Sequence, residues 1–211
     1  MTKILKILFR INRWSLSKFL YVKLIKIKYG VVAHPNVEIN EGDNAKIIFG
    51  KNIYLSEGVK VIAHHNSQII LGDGTRYAEN CRIESRPYET IIIGERSSLQ
   101  INCHISGEVE IGCDCLFAPN VFISSGNHIF ENPGLTIKKQ DENYFNKNGL
   151  YHSEKIEIGS DIWVGINSVI LPGIKIEDKS IVGANSVVTK NILKYEIKAG
   201  VPAVKIGSRS T

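Results

Sequence analysis

Residues 156–190 read IEIGSDIWVGINSVILPGIKIEDKSIVGANSVVTK, and an aliphatic residue returns there at every sixth position: Ile158, Val164, Ile170, Ile176, Val182 and Val188. Two residues before each stands a small or aliphatic partner: Ile156, Ile162, Ser168, Ile174, Ser180 and Ser186. Glycine follows the anchor at 159, 165 and 183. The same step runs through the preceding half of the chain. Phe49, Leu55 and Val61 form one run, and after four extra residues come Leu71, Tyr77 and Ile83. After four more come Ile93, Leu99, Ile105, Ile111, Phe117 and Ile123. The companion column is again restricted, from Ile47, Ile53 and Val59 through Thr75, Cys81 and Ser97 to Cys103, Cys115 and Val121.

A period of six with two restricted positions has a direct physical reading. Side chains alternate along an extended strand, so positions i and i+2 point the same way. A short strand followed by a tight bend gives one flat face per hexapeptide, and the Gly or Ala after the anchor suits a bend where backbones come close. Three faces close a triangular coil of about 18 residues, and successive coils stack by parallel pairing. The 18 anchors then predict about six coils. The expected fold class is all-β, a parallel β-helix over residues 31–206 with a short C-terminal tail at 207–211.

An aliphatic residue, Gly, two variable positions and a small residue form a motif that resembles the hexapeptide-repeat acyltransferases. The resemblance covers roughly residues 35–206, and its blocks are most like those of bacterial sugar and polysaccharide O-acetyltransferases. It implies a left-handed coil, an exception to the right-handed crossover rule. It also implies acetyl-CoA as donor, a sugar or glycan acceptor, and a homotrimer.

The one long interruption of the register falls between Ile123 and Ile158. Residues 124–154, SSGNHIFENPGLTIKKQDENYFNKNGLYHSE, are polar and rich in Gly and Asn. They predict a loop extruded at 125–154, where a site is usually built. The run APNVFISSGNH (residues 118–128) is similar to that of galactoside-type acetyltransferases, and the resemblance makes His128 the general base. Imidazole has a near-neutral pKa suited to taking the proton of an attacking hydroxyl. The family's supporting amide would be Asn102 or Gln100. His34, His64, His65, His104 and His152 give no triplet with zinc-ligand spacing, so no metal is expected. Cys103 and Cys115 fall in the inward column, so a covalent thiol route is not expected.

The blocks WVG…LPG, VGANSVVTK and AGVPAVKI (163–206) look like the family's coenzyme A end. Carried over by position, Gly165, Ile166 and Ala184 would line the pantetheine arm, and Trp163 would stand near the acyl-transfer site. Thr189 and Lys190 would lie near the nucleotide, and Lys205 or Arg209 would replace a displaced basic residue. An N–H near Gly165 would serve the oxyanion.

Eight basic residues, from Lys3 to Lys28, precede the first acidic residue, Glu38. Setting them apart from the chain's 26 leaves 18 basic against 21 acidic, which argues against a nucleic-acid binder. Ile4, Leu8 and Ile11 recur at helical spacing, so residues 1–30 predict a basic helical segment. It would cap the first coil, contact a membrane surface peripherally, or both. No apolar run is long enough for a transmembrane span or secretory signal. Four cysteines without a CxxC pair suit a reducing cytoplasm. The rival functions are N-acetyl transfer to an amino sugar or antibiotic, and a non-catalytic trimeric β-helix binding protein.

Overall fold

A computed structural model describes residue 4 and residues 15–209. Among the described residues three parallel sheets run the length of the chain as the faces of a prism. The first face stacks Val32–Ala33, Tyr54–Leu55, Arg76–Tyr77, Ser98–Leu99, Leu116–Phe117, Trp163–Val164 and Ile181–Val182. The second runs from Glu38–Glu41 through His104–Ser106 and Phe122–Ser124 to Val187–Val188, and the third from Lys46–Phe49 to Lys175–Ile176. These make a solenoid of about seven turns. The turn beyond the expected six is the first, whose anchors Ala33 and Ile39 precede the counted run that begins at Phe49. Its anchor Ala33 is too small to stand out in a count of large aliphatics.

The early coils are also longer. Val32 pairs with Tyr54, Tyr54 with Arg76 and Arg76 with Ser98, a step of 22 residues. From Ser98 to Leu116 the step is 18. The four extra residues lengthen the second-face strands (Lys60–Ala63, Arg82–Ser85) and the corner that follows them.

The anchor ladder fills the core. Val61, Ile83, Ile105, Ile123, Ile170 and Val188 are all buried, each removing about 1.5–3 kcal/mol of apolar surface from water. The small column carries hydroxyls and thiols that the bends satisfy. Ser97 Oγ donates to Gly112 O and accepts from Cys115 N, both at 3.0 Å. Backbone crowding at the bends sets the glycines. A Cβ at Gly165 would stand 2.5 Å from Ala184 N on the next coil.

The corners need left-handed backbone three residues after an anchor, and asparagine takes much of that load. Asn80, Asn102, Asn120, Asn167 and Asn185 have φ between 55° and 60° at the corner joining the first and second faces. Their amides form a ladder down that edge, at 3.4, 3.1, 2.9 and 3.0 Å.

Helix α1, Ser15–Tyr29, covers the open end of the first coil. Tyr21 and Ile25 are buried, and the Tyr21 hydroxyl donates to Val37 O at 2.7 Å. Helix α1 is the part of the expected N-terminal segment that is described, and Leu8 and Ile11 lie outside the described residues. At the other end Glu196–Ala199 pairs antiparallel with Val204–Ser208. Gly207 and Ser208, expected in a tail, therefore belong to the closing hairpin.

Candidate active site

The extruded segment leaves after Phe122–Ser124 and returns before Ile156–Ile158, at the corner joining the second and third faces. Its neck is closed by three links. Gly126 bridges Ser153, Glu154 N donates to Ser125 O at 2.9 Å, and the Ser125 and Ser153 hydroxyls lie 2.7 Å apart. Arg86, held bidentately by Glu89 at 2.9 and 3.0 Å, donates from Nη2 to His152 O at 3.2 Å. Its guanidinium fills the space that a Cβ on Gly126 would need. The neck thus rests on a charged pair from two coils earlier.

Inside the segment lies a helix the sequence reading did not foresee, α2 at Ile137–Asn148. Thr136 caps its start by accepting from Lys139 N, and Gly149 ends it at φ 76°. Gln140 is buried and ties the incoming strand to the helix through Asn132 and Leu135. This places Asp141 against the mouth of the loop. Asp141 Oδ2 lies 2.6 Å from His128 Nδ1, and Oδ1 accepts from Ile129 N at 2.9 Å. The Ile129 N–H first, and His128 second, hold the Asp141 carboxyl below the ordinary carboxylate range. The His128 side chain is 76% exposed, so Nε2 faces open space. A carboxylate on Nδ1 fixes the tautomer in which Nε2 accepts a proton.

The side chain on His128 Nδ1 is Asp141, and neither Asn102 nor Gln100. Asn102 is engaged in the corner ladder, on the edge between the first and second faces. His128 belongs to the edge between the second and third, so the width of the second face separates the two within one chain. No sequence spacing could have shown Asp141, because it is brought to His128 only by the fold of the loop. The asparagine column three after the anchors, by contrast, is visible in the sequence.

The expected coenzyme A residues are spread over the asparagine corner, the first face and the loop's edge. Gly165 stacks on Ala184 at the asparagine corner, with Ile166 exposed beside it. The Gly165 N–H donates to Val182 O at 2.8 Å. It is committed to coil stacking, which removes it as the oxyanion donor. Trp163 is 53% exposed on the first face. It lines a cavity of about 250 Å³ with Leu116, Ile181, Asp114, Asp161 and Arg209. Thr189 and Lys190 are exposed on the loop's edge, two coils beyond its root. Lys205 is paired with Glu196 at 3.3 Å, and Arg209 with Asp161 at 3.1 Å.

The remaining candidates behave as structure. Cys103 and Cys115 are buried and donate to Ala118 O and Gly159 O, and burial pushes the Cys115 thiol up to about 11. His104 stands edge-on to Phe122 at 5.2 Å, and burial lowers its proton affinity. Among the described residues no three His, Cys, Asp or Glu are grouped to hold a metal ion. Nor is any described helix long and apolar enough to cross a membrane.

Comparison with known proteins places this geometry. The family model "Bacterial transferase hexapeptide (six repeats)" matches residues 155–190. The galactoside O-acetyltransferase of Escherichia coli strain K12 is 39% identical over 94 residues, 44% of this chain and 41% of that protein. A chloramphenicol acetyltransferase of Morganella morganii is 46% identical over 52 residues, 25% of each chain. The chain thus spans less than half the length of these curated relatives. The polysialic acid O-acetyltransferase OatWY shares the fold, with a TM-score of 0.65 over 84% of both chains at 19% identity. Repeat, coil architecture and structural likeness together give this chain the left-handed β-helix fold, with the hexapeptide motif matched over residues 155–190.

Proposed function

We propose that the chain is an acetyl-CoA-dependent O-acetyltransferase acting on a sugar hydroxyl of a surface-polysaccharide precursor, with His128 as general base. The observation that carries this reading is the His128–Asp141 pair, set at the mouth of a loop with Nε2 open to solvent. Asp141 holds the ring by Nδ1, and Nε2 takes the proton as the acceptor oxygen attacks the thioester carbonyl. The imidazolium then returns the proton to the departing coenzyme A thiolate, so no acyl-enzyme forms. Galactoside and chloramphenicol acetyltransferases among the relatives support an acetyl donor and a hydroxyl acceptor. A coenzyme A donor suits a cytoplasmic reaction.

His128 and the Gly165–Ala184 corner occupy different edges of one chain. They meet if a second copy brings its corner to the loop, which supports a homotrimer with sites between subunits. The test is thiol release from acetyl-CoA with a panel of sugars, wild type against His128→Ala. An alkali-labile ester and a fall of about 10²–10⁴-fold in the variant support the reading. An alkali-stable amide assigns N-transfer instead, and no turnover with any acceptor rejects the enzyme.

A further inference from the structure

Helix α1 has two unlike faces. Ser17, Tyr21 and Ile25 are buried toward the first coil. On the other side Phe19, Leu20 and Ile27 are 65%, 41% and 64% exposed, with Lys23 and Lys26 exposed between them. At 3.6 residues per turn these five side chains span an arc of about 120°, opposite the buried row. The helix SLSKFLYVKLIKIKY contains no acidic residue, and none occurs anywhere before Glu38.

A capping helix facing only water is expected to be polar outside. This outer face is large apolar side chains whose charged neighbours are all cationic. That composition matches a helix lying in a bilayer interface, with aromatic and aliphatic groups among acyl chains and lysines at the headgroups. The charge selects an anionic surface. Placement is compatible as well. The helix sits on the first coil and the loop of His128 leaves the fifth. At about 4.8 Å per coil, the loop root stands about 20 Å from the helix along the prism axis, clear of the membrane.

We propose that the outer face of α1 docks the protein on anionic phospholipid bilayer, with Phe19, Leu20 and Ile27 inserted and Lys23 and Lys26 at the headgroups. This contact is independent of the acyl-transfer chemistry.

The test is co-sedimentation of the full chain with vesicles of phosphatidylcholine containing about 30% phosphatidylglycerol, at low and high salt, against pure phosphatidylcholine. Wild type is expected to partition to the anionic vesicles alone and to be released by salt. Lys23→Glu/Lys26→Glu lowers the partition coefficient by roughly 25-fold or more, taking about fivefold per lysine near an anionic surface. Phe19→Ser/Ile27→Ser lowers it by about tenfold or more through lost insertion. Circular dichroism and thermal melts show that the folds match. Equal binding to neutral vesicles, no binding at all, or binding unchanged in both variants overturns the proposal. So does an oligomer that dissociates on Phe19→Ser/Ile27→Ser without vesicle binding, which would assign the face to a second copy.

Discussion

Replacing Asp141 by Asn changes little in shape and much in proton placement. Asp141 accepts twice, from Ile129 N at 2.9 Å and from the His128 ring at 2.6 Å. An asparagine has one acceptor oxygen. The Ile129 N–H is fixed by the backbone, so the amide oxygen stays with it and the amide N–H turns to the ring. Nδ1 must then accept, which puts the ring proton on Nε2 and removes the base from the acceptor side. In a fully buried triad the wrong tautomer costs about 10⁴-fold. Here the His128 side chain is 76% exposed and can flip, so the loss in kcat is expected near 10²-fold, about 2.7 kcal/mol. The assay is thiol release under saturating acetyl-CoA, with KM followed separately. Both residues act through one proton, so Asp141→Asn on top of His128→Ala should cost nothing further. An Asp141→Asn variant within threefold of wild type, or costs that multiply in the double variant, would refute the role given to the pair.

Other consequences follow from the same contacts. Arg86→Met removes the guanidinium that supports Gly126 and His152 O, so hydrogen exchange should quicken across 126–153 and kcat should fall more than KM rises. Ile105→Ala empties a fully buried rung between Ile83 and Ile123, and urea unfolding should show a loss of about 2–5 kcal/mol. The Asp141 carboxyl lies below its ordinary 3.8 in the folded chain. Its support of the loop is therefore complete above that value and is lost as pH falls through the lowered one, read as falling protection of the Ile129 amide. Protection that instead fades as pH rises would contradict the contact.

The prism was legible because its cause is local and repeated. Ile158 to Val188 recur at a step set by one strand and one bend, and a period of that kind survives tolerant substitution. The loop at 125–154 was legible as the place where the period stops, and its neck closes there. What escaped depends on distances between strangers in sequence. Asp141 reaches His128 only because α2 folds back on the loop mouth. Asn102 looked available because the ladder that occupies its amide joins residues about 18 apart. Gly165 suggested a free N–H, but stacking on Val182 consumes it. Ala33 hid the first coil because a methyl group carries too little hydrophobic signal to count. The motif indicated candidate residues, and the topology put His128 and the Gly165–Ala184 corner on different edges.

The most direct test of a shared site is subunit mixing. His128→Ala removes the base, and Ala184→Tyr blocks the exposed corner below Gly165. Each variant alone should be nearly inactive in thiol release. Unfolded together and refolded as mixed trimers, they should recover about a quarter of wild-type activity, because one interface in four joins an intact loop to an intact corner. Mixtures that stay as inactive as their parents would contradict a site built between copies around His128.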